Sequence, residues 1–153
     1  YRFYMVSQHQ ALVTLEFAIK EAVGKRKIKR YGEKIHKGGG LAGCLHYIFD
    51  KGLVVNSDFP VWINRHKMQA EREYEIQKIK EIEAKGLKRI ELDYDDINYE
   101  KYTLEYDYLE VLSEIIPKIR NNHAHGASTL HNQVLITFEN VSVIINKIFT
   151  PNI

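Results

Sequence analysis

Along most of this chain apolar residues recur every three or four positions, and only Pro60, Pro117 and Pro151 can interrupt that rhythm. Alternation with a period of two, the mark of a half-buried strand, is hard to find. Together these features predict an all-α fold. In "MVSQHQALVTLEFAIKEAV", Met5, Leu12, Leu15, Ile19 and Ala22 fall on one stripe, and Gly24 supplies a stop. "LAGCLHYIFDKG" reads as a short apolar helix closed by Gly52. "SDFPVWINRHKMQAEREYEIQKIKEIEAKG" opens with Ser57 or Asp58 as cap and ends at Gly86. Its wealth of Glu, Lys, Gln and Arg predicts a mostly exposed or projecting helix. "GLKRIELDYDD" leaves a short strand and an irregular connector both open.

From about Tyr102 the helical spacing resumes with Leu109, Leu112, Ile116 and Ile119. A last segment is capped by Ser128 and carries Leu130, Val134, Phe138, Val141, Ile145 and Ile148 as its stripe. The expectation is therefore a helical bundle whose two long C-terminal helices form an antiparallel pair. With 153 residues the chain suits a single domain spanning 1–153 with its own core. A first residue of Tyr1 and not Met suggests part of a longer protein.

Composition excludes some classes. No apolar run approaches the ~18–20 residues that span a bilayer, and "YRFYMVSQHQ" is not a signal peptide. These point to a cytoplasmic protein with no membrane partner. The single cysteine, Cys44, excludes an internal disulfide and reads as a small buried apolar residue. A formal net charge of +2 does not argue for nucleic acid by itself. Its distribution says more: "GKRKIKRYGEKIHK" carries seven Lys or Arg against Glu33 alone, whereas "ELDYDDINYE" is acidic. The basic stretch reads as a solvated loop or, where another site handles phosphate, as a steering patch built from Lys25, Arg26, Lys27, Lys29 and Arg30.

The least core-friendly residues crowd into "IPKIRNNHAHGAS", at the corner between the last two helices. Arg120 and His125 are five apart, so on an ideal helix they point roughly 140° apart. They cannot converge unaided on one small site. Asn121 and His125 are four apart and share a face, so the amide can orient the imidazole. His123 continues the Leu112–Ile116–Ile119 stripe and is expected at the core edge. Glu16 lies beside the Leu12–Ile19 stripe, where it can pair with Arg120. A zinc site would recruit His123, His125, His131 and His9, but helical metal pairs need a spacing of three or four. No metal or other cofactor is expected. The tyrosines Tyr94, Tyr99, Tyr102, Tyr106 and Tyr108 read as packing residues in preference to base-stacking ones.

"IRNNHAHG" resembles the signature of HEPN domains, in which an Arg and a following polar residue precede a His. Arg120 matches the Arg, Asn121 the polar residue and His125 the His; "ALVTLEFAIKEAV" resembles the family's entry helix. His123 stands where that family would have an apolar residue, which leaves a second titrating group beside the site. The resemblance covers about residues 8 to 149 and is firmest from 104 to 149. It implies a metal-independent endoribonuclease that acts as a homodimer, with two motifs brought together across the interface. Arg120 of one chain would then approach His125 of the other. Such domains serve toxin–antitoxin and antiphage systems, which implies RNA as substrate and an antitoxin or regulatory protein as a further partner. The rival expectation is a non-catalytic helical module that binds RNA, a nucleotide or a protein. A cationic helix end closed by glycine would also produce such a motif without catalysis.

Overall fold

In a computed structural model the described residues are 2–102, 104, 106–124 and 134–150. Six α-helices carry the fold: α1 (Arg2–Val23), α2 (Lys25–Lys34), α3 (Leu41–Asp50), α4 (Pro60–Lys85), α5 (Tyr108–Ala124) and α6 (Val134–Phe149). Short 3₁₀ turns occur at Asn56–Asp58, Tyr94–Asp96 and Tyr99–Lys101, and the described residues contain no strand. The "GLKRIELDYDD" segment is thus an irregular connector. The chain divides into two compact units, one of Tyr1–Phe59 with Tyr108–Ile153, the other of Pro60–Asp107.

The larger unit is organised on α1, against which α2, α3, α5 and α6 all pack. Leu12, Leu15 and Ile19 are fully buried, as their spacing predicts. Ala22 is exposed, because packing on that stripe stops a turn before the helix does. Gln8, one turn before Leu12, takes a core position instead. Its cost of burial is met by a 2.8 Å hydrogen bond from its amide nitrogen to Thr137 Oγ1.

The basic stretch is the main departure from expectation: it is a helix and not a loop. After one residue of turn at Gly24, whose φ of 100° suits glycine, α2 starts at Lys25. Lys and Arg are good helix formers. Ile28, fully buried, gives the segment an inward face that turns its cations outward. The joint between α2 and α3 is made of glycine for steric reasons. A Cβ at Gly32 or Gly43 would sit 1.7 or 2.0 Å from the Gly38 carbonyl oxygen, so neither position accepts a side chain.

In α5, Tyr108, Leu112 and Ile116 are buried, while Leu109 and Ile119 are only partly so. The buried face of α6 is Val134, Thr137, Asn140, Val141 and Ile144. This corrects the expected stripe, in which Phe138, Ile145 and Ile148 are in fact half-buried. Leu130 and the Ser128 cap lie outside the described residues. Two polar residues hold core positions in α6 because each has a partner; Tyr108 donates to Asn140 Oδ1 at 3.0 Å.

The smaller unit is built on α4. The helix opens on Pro60, a favoured first residue, and not on a Ser57 or Asp58 cap. Asp58 accepts from the Val55 amide at 2.8 Å instead. Only Ala70 and Tyr74 of α4 are buried, and they form a small core with Ile97, against which Tyr99 and Tyr102 pack. The tyrosines of the connector are therefore mostly packing residues. Tyr94 donates to Glu75 at 2.7 Å, which raises the phenol's pKa above its ordinary value.

Candidate functional site

The face of α1 next to its core stripe carries Val13, Glu16, Phe17 and Lys20 at helical spacing. These side chains form one wall of an open cleft of about 490 Å³. Lys25 and Lys29, one turn apart on α2, line it too, together with Gly39 and Arg120 of α5. Four positive side chains thus border the cleft against one carboxylate. Residues about ninety positions apart in sequence meet here because α2 and α5 both pack on α1.

Glu16 organises the charges. It is only 15% exposed, and each carboxylate oxygen takes one cation: Lys20 Nζ lies 2.5 Å from Oε1, and Arg120 Nη2 lies 3.5 Å from Oε2. The expected pairing of Glu16 with Arg120 is present. Arg120 Nη1 also donates to Asn121 Oδ1 at 3.4 Å. Both contacts of the guanidinium are long, and its buried Nε has no hydrogen-bond partner among the described residues. Among the described residues one N–H on Nη1 and one on Nη2 therefore stay available to an anion in the cleft.

His123 lies at the core edge, as its position on the stripe predicts. Its Nε2 is 2.9 Å from the Gln8 amide oxygen, so that nitrogen carries the proton and donates. The His123 ring meets His9 edge-on at 6.4 Å. His125, the histidine matched to the motif, and His131 lie outside the described residues. Among the described residues no three His, Cys, Asp or Glu side chains gather as a metal-binding group.

Four of the five basic residues singled out on α2 divide between two sites. Lys25 and Lys29 face the cleft with Arg120. Lys25 also joins Arg26 and Lys27 in an adjoining shallow groove of about 440 Å³, which shares Lys20 with the cleft. Arg30 is exposed and lines neither.

Phe17, Lys20 and Gln8 were not among the sequence candidates. The signal for Phe17 was its place off the core stripe and beside two charged residues. Cys44 is fully buried, and that burial pushes its thiol up to about 12, so it is no nucleophile. Among the described residues no helix is long and apolar enough to cross a membrane.

Chemically, the cleft is suited to holding a phosphate or a run of phosphates. Its cations come from three different helices packed in one unit, so the backbone positions from which they reach the cleft are set before any ligand arrives. Comparison with protein-family models, curated proteins and solved structures returned no match.

Proposed function

We propose that the chain is a metal-independent endoribonuclease of the HEPN type, cutting RNA at a composite site formed by two copies of the chain. The observation that carries this reading is that Arg120 of the motif shares one cleft with Lys25 and Lys29 of the basic stretch. Phosphates steered by α2 would arrive at the guanidinium that the reaction needs.

In this reading α5 and α6 form an antiparallel pair whose corner carries His125. Two corners meet across a homodimer, which overcomes the roughly 140° divergence of Arg120 and His125 on one helix. The ribose 2′-hydroxyl loses its proton and attacks the adjacent phosphorus, and the bond to the 5′-oxygen breaks. A histidine titrating near neutrality takes the first proton or protonates the leaving oxygen. Arg120 stabilises the crowded phosphorane with its planar, permanently charged fork. Asn121, already in contact with Arg120, would hold that fork or the imidazole. Glu16 and His123 are auxiliaries, one fixing Arg120 and the other tying the helix end to Gln8. The products are a 2′,3′-cyclic phosphate and a 5′-hydroxyl. The setting proposed is cytoplasmic defence or toxin–antitoxin control, with an antitoxin or regulatory partner.

The test is cleavage of structured and unstructured RNA by purified protein with a chelator present. His125→Ala and Arg120→Ala are each expected to lower the rate by about 10²–10⁴-fold with the helical circular dichroism signal unchanged. Wild-type levels of cleavage by both variants would refute the assignment.

One observation favours a second reading, a non-catalytic RNA-binding module: Glu16 already neutralises part of the Arg120 charge. That reading expects salt-dependent binding of RNA with no cyclic-phosphate product.

A further inference from the structure

We propose that Phe17 is a stacking platform for an unpaired base, which makes the cleft selective for single-stranded over duplex RNA. The inference rests on the RNA reading above and adds to it the form of the substrate and the residue that selects it.

Phe17 is a large aromatic residue left 61% exposed in the wall of a cationic cleft. None of the ring–ring or cation–ring contacts among the described residues involves it. The other exposed aromatics near the start of α1 differ in this respect, since Phe3 and Tyr4 meet edge-on at 6.3 Å. Val13, one turn before Phe17, extends the apolar surface along the same wall. Charge sits around this apolar surface. Lys20 is one turn after Phe17 and two turns after Val13 on α1, and Lys25, Lys29 and Arg120 come from two other helices.

An apolar aromatic face surrounded by cations is the chemistry that recognises a nucleotide with its base turned out. Each base offers a π-face to the ring while its phosphates meet the cations. A cleft of about 490 Å³ is also of the size that takes a small ligand, roughly 300–1,000 Å³. Simple phosphate binding would not use Phe17 at all. In a duplex both faces of every base are covered by stacked neighbours, so a paired base cannot reach the ring. The lysines alone would hold a duplex, through its backbone. Phe17 should therefore separate the two forms of RNA, while Lys25 and Lys29 should not.

The experiment measures fluorescence anisotropy of a short single-stranded 2′-O-methyl oligoribonucleotide and of the same strand annealed to its complement as a blunt duplex. The blocked 2′-oxygen prevents cleavage, so binding is read alone. Wild type is expected to prefer the single strand. Phe17→Ala should lose about 5- to 150-fold in affinity for it, with duplex affinity unchanged, and Phe17→Trp should retain the preference. A 2-aminopurine probe in the single strand should be quenched by wild type and by Phe17→Trp but not by Phe17→Ala.

The stacking role is overturned if wild type binds both probes equally. It is also overturned if Phe17→Ala weakens both alike, as loss of a subunit contact would do. A wild-type protein that binds the single strand and is indifferent to Phe17→Ala removes this inference and leaves the ribonuclease reading standing. Failure to bind either probe removes both.

Discussion

Helices α2 and α4 carry the same number of cations, α2 in 10 residues and α4 in 26, and set them in opposite surroundings. Each carries six Lys or Arg, but α2 sets them against one Glu and α4 against five. On α4 acids and bases neutralise one another along the helix, as in Lys67–Glu71 and Glu81–Lys85. Other α4 carboxylates accept from Gln69 and Tyr94. On α2 the one acid, Glu33, lies 3.8 Å from Lys29, with both groups well exposed to solvent. Among the described residues none of its other cations forms an ion pair, and the first turn holds Lys25, Arg26 and Lys27 at the positive end of the helix dipole, where cations are unfavourable. An anion would relieve that strain. The difference teaches that charge imbalance on a packed scaffold, and not the number of charges, is what makes α2 the candidate binding surface.

The scaffolds differ as well. Around α1 the larger unit closes over a continuous set of fully buried residues, whereas α4 buries two side chains and leaves Met68 68% exposed. The largest effect expected from this contrast is on Cys44, in the closed unit. Its thiol is raised from an ordinary 9.0 to about 12, chiefly by burial. At any pH below 9 that leaves roughly a thousandfold less thiolate than a free thiol, so an aromatic disulfide reagent at pH 8 should label the native chain only after denaturation. The sign of the linked stability follows. Folding favours the protonated thiol, so this contribution is complete below about pH 9 and is lost as pH rises towards 12. Rapid labelling of the native protein at pH 8 would mean that the unit around α1 opens.

A middle-sized effect tests the two helices against each other. Lys25→Ala and Lys29→Ala should each weaken RNA binding uniformly across sequences. Each should also lower the slope of log affinity against log salt by about 0.7 for single strands. Lys67→Ala and Lys85→Ala on α4 should leave both quantities unchanged. Equal losses from the two helices would show that total charge, and not the cleft, governs binding.

Much of this arrangement was legible along the chain, and the reasons are local. Leu12, Leu15 and Ile19 repeat at the helical period, and Gly24, Gly52 and Gly86 mark helix ends by adopting positive φ. The pairing of Glu16 with Arg120 could be anticipated because each stands beside a core stripe. What escaped depended on partners distant in sequence. Thr137 and Asn140 look like surface residues until Gln8 and Tyr108 satisfy them. The basic stretch looks like a loop because its inward face is little more than Ile28 and Gly32. The cleft was invisible for the same reason. No local pattern joins Lys25 and Lys29 to Arg120; the packing of α2 and α5 on α1 does. His125 and its corner are the part of the site for which only the motif speaks.

The smallest effect lies within α4 itself and sharpens the account of why its charges are inert. Glu81–Lys85 places the acid one turn before the base and the lysine in the last turn, so pairing and helix dipole act together. Lys67–Glu71 runs in the opposite order and is longer, 3.8 Å against 3.6 Å. In both pairs the lysine is well exposed and the carboxylate partly so, which keeps their worth small. Because Lys→Ala also raises helix propensity, single variants would mislead, and a double-mutant cycle is needed. With Glu→Gln and Lys→Ala as the two changes, urea unfolding at low salt should give a coupling of about 0.3–0.5 kcal/mol for Glu81–Lys85. The coupling for Lys67–Glu71 should be smaller, and high salt should abolish both. A coupling that persisted in high salt would mean that these charges are shielded from solvent. Then α4 would be neutral through burial, and its contrast with α2 would no longer be one of charge balance.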